Sequence, residues 1–170
     1  MVDEEPRWLS ADELYAWKGL VALVMTLPPA IDAQLRRDSG LNTFEYHILA
    51  ALSGAPDHRL PMVDLAAVAQ GSPSRLSHAV ARLERDSLVE RFACAEAGRR
   101  TAAHLTAAGL RALEEAAPKH VAEARRLVVD VLTEDELETL GRAARKVVAA
   151  TDAQLSAKLL DDDAVHARAV

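Results

Sequence analysis

Gly71-Ser72-Pro73 sits between two short apolar-rich segments and limits what the middle of this chain can become. Glycine ends helices because it accepts positive φ at no steric cost, so Gly71 is expected to stop the segment carrying Val63, Leu65, Ala66, Val68 and Ala69. Ser72 is an N-cap by residue type, and Pro73 suits the first helical position, where a missing N–H costs nothing. A second helix is therefore predicted from Pro73 to about Asp86, a tight turn after the first. Leu76, Val80 and Leu83 make its apolar stripe, at i, i+4 and i+7. Arg75, His78, Arg82 and Arg85 make a different stripe, with Ser74 and Ser77 beside it.

Two short strands are expected next. Leu88 to Phe92 reads as one strand, Ala102 to Leu105 as its return partner, and Ala95 to Arg100 as a polar hairpin tip. Helix–turn–helix plus hairpin makes a winged helix–turn–helix. A helix packed by one face and presenting arginine, histidine and serine on another suits the DNA major groove; a solvated surface helix is the bland alternative. Ser74, Arg75, Ser77 and His78 are the candidates for base edges, Ser72 is a further DNA-binding candidate, and Arg82, Arg91, Arg99 and Arg100 are candidates for phosphate or wing contacts. Arg85 has a structural alternative, pairing with Glu84, Asp86 or an opposing helix.

The order LNTFEYHILAAL, LPMVDLAAVA, SRLSHAVARLERDSLVER, GRRTAAHLTAAG resembles the MarR family of bacterial transcription regulators over roughly residues 8 to 155. The helix-to-wing phrase RLxxxxLVxR and the wing phrase ending in LTxxG carry most of the match. The family's wing reads Asp-x-Arg, five residues, then Leu-Thr. Arg99, Leu105 and Thr106 fit, but Ala97 stands where the family has the aspartate that helps hold the wing arginine. The resemblance implies a homodimer whose first and last two helices form the interface. It also implies a repressor that reads a pseudo-palindrome in double-stranded DNA. A small aromatic or phenolic acid would bind between winged unit and dimer helices, with Trp17, Lys18, Val21, Tyr46 and His47 as candidate lining residues.

The flanking segments are expected to be helical. Alanine and leucine dominate, and 4% aromatic content argues in the same direction. Residues 1–40 make an N-terminal dimerisation helix, opened by Ser10 with Glu13 in a capping box, kinked or interrupted at Pro28-Pro29, and stopped by Gly40. Thr43 is expected to cap the next helix, which Gly54 ends, within a winged unit spanning 41–106. Residues 107–158 make two C-terminal dimerisation helices, the first capped by Thr106 and kinked near Pro118, the second opened by Thr133 and Glu136. Residues 159–170 make a flexible acidic tail. The fold class is thus mainly α with a small β-hairpin wing. These long apolar helices exceed what a small winged unit can cover, so a second copy across a two-fold axis is expected, with an intramolecular bundle as the alternative.

Charge supports this division. The chain carries a net −6, but residues 59–104 hold seven basic and five acidic residues, the only positive block. A local basic face, not whole-chain charge, sets phosphate contacts. The longest apolar run, about Gly19 to Ile31, is short of the ~20 residues of a membrane span, so no membrane partner is expected. One cysteine, Cys94, and an acidic start without signal-peptide order suit a reducing cytoplasm. Scattered histidines, no C-x-x-C and no nucleophile elbow argue against a metal site, a cofactor or an enzyme. Two alternatives remain at this stage: a winged-helix protein-interaction module, and a thiol-sensing regulator acting through Cys94.

Overall fold

The computed structural model describes residues 6–94, 100–153 and 155, the side chains of Cys94 and Arg100 excepted. The chain divides into two compact units, residues 1–124 and 125–170. In order the first unit holds α1 (Ala11–Ser39), α2 (Thr43–Ser53), β1 (Arg59–Pro61), α3 (Met62–Val68), α4 (Pro73–Arg85), β2 (Val89–Cys94), β3 (Arg100–Leu105) and most of α5 (Ala107–Leu127). The second holds α6 (Glu134–Thr151).

Capping chemistry explains most boundaries. Ser10 accepts from the Glu13 amide while the Glu13 carboxylate accepts from the Ser10 amide, and Thr133 with Glu136 repeats this at α6. Gly40, at φ 74°, ends α1 by donating its N–H to the Arg36 carbonyl. The cap of α2 is Asn42, not Thr43. Its side chain accepts from the Glu45 amide at 2.9 Å, and Glu45 Oε2 accepts from the Asn42 amide at 3.0 Å. Thr43 is already helical, and its amide donates to Asp32 Oδ1 at 2.9 Å.

Gly71 also differs from expectation. The left-handed residue that closes α3 is Gln70, at φ 54°, and the Gly71 amide donates to the Ala66 carbonyl at 3.0 Å. Glycine is needed at 71 for space: a Cβ there would lie 2.3 Å from Phe44 Cζ.

The prolines do not interrupt their helices. α1 runs continuously through Pro28 and Pro29, and α5 through Pro118. In α1 the carbonyls that lose their donors belong to Val24 and Met25, which are 61% and 70% exposed, so water can replace the missing N–H groups. Continuity makes α1 more membrane-like than its sequence runs indicate. Its 29 residues include an 18-residue window of mean hydropathy 1.4, enough by length and composition to cross a membrane, with none of it buried within the chain. α6 runs to Thr151 and is broken at the extended Asp152; Ala153 and Leu155 are helical again, and the expected end at Lys158 lies, with the acidic tail, outside the described residues.

The wing is a three-stranded antiparallel sheet in the order β1-β3-β2 rather than a simple hairpin. β1 pairs Arg59 with His104 and Pro61 with Ala102; β2 pairs Val89 with Leu105 and Cys94 with Arg100. One face, with Val89, Ala103 and Leu105, is buried against Ile48, Leu49 and Leu52 of α2, Leu65 of α3 and Leu76, Val80 and Leu83 of α4. Each fully buried leucine, isoleucine or valine among them stabilises the unit by ~1.5–3 kcal/mol before chain entropy is subtracted. That core fixes the orientation of α4.

Candidate nucleic-acid interface

α4 starts where its sequence signals place it. Ser72 Oγ accepts from the Arg75 amide at 3.2 Å, and Pro73 occupies the first turn. Leu76, Ala79, Val80 and Leu83 are buried, whereas Ser72, Ser74, Arg75, Ser77, His78 and Arg82 lie on the exposed side. No acidic residue in the first turn offsets the positive end of the helix dipole, and Ser72, Pro73, Ser74 and Arg75 there are exposed.

The arginines are held in different ways. The Arg75 guanidinium carbon lies 4.2 Å from the centroid of the Phe44 ring, a cation–π contact worth ~0.5–1 kcal/mol at an exposed site. Arg82 pairs with Glu45, whose side chain is 2% exposed: Nε lies 3.1 Å from Oε1, without hydrogen-bond alignment, and Nη2 donates to Oε2 at 3.5 Å. Arg91 shares the inward face of β2 with Val89, and it pairs with Glu84 of α4, whose Oε1 also accepts from the Arg91 amide at 3.0 Å. Arg85 is exposed and has no ion pair among the described residues, so the structural pairing with Glu84 or Asp86 is not made. Arg99, Ala97 and Glu96 lie outside the described residues, as does the side chain of Arg100. Arg59, at the sheet edge, places its guanidinium 5.3 Å from the Phe92 ring centroid.

Beside α4 opens a crevice of about 740 Å³. α1 contributes Pro28, Pro29, Asp32 and Arg36; α2 contributes Phe44, Glu45 and His47; α4 contributes Arg75, His78 and Arg82. Asp32 ties α1 to the start of α2. It accepts from the Thr43 amide and from Arg36 Nε at 2.6 Å, and these bonds hold its carboxyl below the ordinary 3.8. Of the five lining candidates, His47 alone reaches this crevice. Trp17 and Lys18 are exposed and Val21 is half-buried, all on the N-terminal half of α1, while the crevice meets the turns from Pro28 to Arg36. Tyr46, one residue from His47 and thus about 100° round the helix, turns to His120 of α5, ring centroids 4.6 Å apart. Burial lowers the pKa of His120; burial and the nearby His120 lower that of His47.

Sequence reasoning missed Phe44, Glu45, Asp32 and Arg36. The spacing of Asn42 and Glu45 is a capping box and was the available signal for Glu45. Nothing local marks the others. Among the described residues no group of three or more His, Cys, Asp or Glu is arranged to hold a metal ion.

Neither a scan against family models nor a comparison with curated proteins gives a match. Solved structures do match. Sco3205, a MarR family transcriptional regulator from Streptomyces coelicolor in complex with DNA, is 39% identical at a TM-score of 0.82, covering 88% of this chain and 94% of that one. AbsC, a MarR family transcriptional regulator from the same organism, is 34% identical at a TM-score of 0.80, covering 86% and 98%. BldR, a transcriptional regulator from Sulfolobus solfataricus, shares the fold at 21% identity and a TM-score of 0.69, covering 83% and 99%. With a winged helix–turn–helix of this geometry and relatives of this identity over nearly their whole length, the chain belongs to the MarR family of transcriptional regulators.

Proposed function

We propose that this protein is a homodimeric repressor that binds a pseudo-palindromic site in double-stranded DNA and is released by a small aromatic acid. The observation that carries DNA binding is the exposed face of α4, with Ser74, Arg75, Ser77 and His78 raised on a fully buried apolar stripe. Sco3205, the relative at 39% identity, was solved with DNA. In this reading Ser72, Ser74, Arg75, Ser77 and His78 meet base edges or adjacent phosphates. Arg82, Arg91, Arg99 and Arg100 serve the backbone and the wing.

Dimerisation is supported by apolar surface the single chain leaves uncovered. Leu14, Tyr15, Trp17, Leu20 and Val24 of α1 are between 39% and 84% exposed, and Val147 of α6 is 49% exposed. A second copy covers such surface without a membrane, and a two-fold axis sets two α4 helices about 34–36 Å apart. Release by a ligand is supported by the crevice, because Arg75, His78 and Arg82 belong both to its wall and to the face of α4. A carboxylate bound there, with His47 and Arg36 nearby, would favour a head arrangement that does not fit DNA.

The test is selection from a random duplex pool, followed by fluorescence anisotropy at several salt concentrations against scrambled competitor. Expected are salt-sensitive binding that survives competitor, two half-sites about 10 base pairs apart, and a solution mass twice the 18.3 kDa of one chain. Binding that matches scrambled DNA, or a monomer at working concentration, refutes this reading. Failure of hydroxybenzoates to release the duplex refutes the ligand part alone.

A further inference from the structure

We propose that Phe44 is a positioning residue for DNA reading: its ring holds the Arg75 guanidinium over its face and pre-aimed, with the N–H donors left available for a base edge. This rests on the reading of α4 as the DNA-contacting helix. Three observations carry it. First, the ring is pinned. Phe44 is 7% exposed, and its Cζ and Cε2 lie 2.3 and 2.7 Å from where a Gly71 Cβ would stand, so the ring edge abuts the backbone of the turn between α3 and α4. Second, the guanidinium sits over that ring, 4.2 Å from its centroid. Third, the described residues offer Arg75 no carboxylate partner, while Arg82, seven residues on and on the same helical face, is paired with the buried Glu45.

The chemistry of the two holds differs. A carboxylate engages the in-plane N–H groups of a guanidinium, the same groups a bidentate contact to guanine needs. An aromatic ring engages the flat face and leaves those donors available. Two adjacent residues in the first turn of α2 thus give two arginines of α4 different tasks: Glu45 braces through Arg82, and Phe44 aims Arg75. Gly71 belongs to the same device, because a side chain there would displace the ring. The benefit to binding is entropic: a long side chain ordered in the free protein loses less freedom on binding.

The test uses the full-length protein and the duplex selected above. Phe44→Leu and Phe44→Met keep apolar volume under Gly71 and remove the ring face. Each is expected to weaken the selected duplex about 2- to 5-fold, the affinity equivalent of one exposed cation–π contact. Affinity for scrambled duplex and the salt slope should not move, because the number of phosphate contacts is unchanged. In an Arg75→Ala background neither substitution should add a further loss. A direct readout is the Arg75 side-chain Nε–H resonance, expected upfield in the wild type from the ring current.

Equal losses on both duplexes, or losses that add to that of Arg75→Ala, would reduce Phe44 to packing. Tighter binding would mean that the ring parks Arg75 away from DNA. An unshifted Arg75 resonance overturns the proposal even where the Phe44 variants do not fold. If Arg75→Ala binds the selected duplex as the wild type does, the role of Arg75 in DNA reading fails instead.

Discussion

Gly109→Ala tests the junction that seats the wing on α5. Gly109 lies in the first turn of α5, where a Cβ would fall 2.1 Å from the Leu88 carbonyl oxygen and 2.7 Å from Leu105 Cδ1. Carbon and oxygen ordinarily approach no closer than ~3.3 Å, so helix or strand must move by roughly 1 Å. The first obstacle is backbone and cannot rotate away. That backbone is held by the Thr106 amide, which donates to the Leu88 carbonyl at 3.1 Å, and by the Thr106 hydroxyl, which donates to the Ser87 carbonyl at 2.8 Å. Overpacking of this kind costs ~1–3 kcal/mol, and a loosened hydrogen bond adds ~1. Alanine returns ~0.5–1 through helix propensity. The net is a loss of about 1–3.5 kcal/mol, or a Tm fall of roughly 2–14 °C for a chain of this size. Differential scanning calorimetry at fixed protomer concentration reads it. Gly141→Ala is the comparator: its Cβ meets nothing within 4 Å in its own chain, so its Tm should hold or rise. A Gly109→Ala protein as stable as the wild type would refute the close approach of α5 to Leu88.

Three further outcomes follow from the same physical reasoning. Arg82→Ala leaves the buried Glu45 carboxylate without its cation and should cost about 2 kcal/mol, less than a fully buried pair because Arg82 is 46% exposed; an unchanged urea midpoint would contradict it. Ser87 closes α4 at φ 60°, its amide donating to the Glu84 carbonyl and that of Leu88 to the Leu83 carbonyl, so Ser87→Gly should stabilise by ~0.5–1 kcal/mol; a lowered urea midpoint would argue against strain there. His120 and His47 have folded pKa values lowered from 6.5 by burial, and the described Nδ1 of His120 is buried without a partner. The unfolded chain therefore binds more protons, and stability, full above the unfolded pKa of 6.5, is lost as pH falls below it toward the lowered folded values. His120→Phe keeps a ring against Tyr46 and should flatten that loss in thermal melts; an unchanged pH profile would place its origin elsewhere.

Features legible in the sequence depend on residues within about four positions of each other. Ser72-Pro73 starts α4, Ser10 with Glu13 starts α1, Thr133 with Glu136 starts α6, and Gly40 ends α1, each through bonds between near neighbours. The buried stripe of α4 was likewise set by period, so its opposite face could be named in advance. Features decided by tertiary structure join residues far apart in sequence. β1 is three residues long and carries no strand signal of its own; it exists because β3, more than forty residues later, offers it an edge. Arg82 reaches Glu45 across 37 residues, Arg75 finds Phe44, and Asp32 finds the Thr43 amide. Gly71 was readable as a turn glycine, yet its reason is a ring on another helix. The crevice shows the same limit. The sequence by itself predicted an N-terminal helix with an apolar face, kinked or interrupted at Pro28-Pro29, ahead of a winged unit. Which of its turns lines the crevice beside α4 depends on where the chain re-enters after Gly40, and those turns run from Pro28 to Arg36. Local hydrogen bonding and periodicity are short-range and can be read along a line; the pairing of surfaces is a property of the folded path.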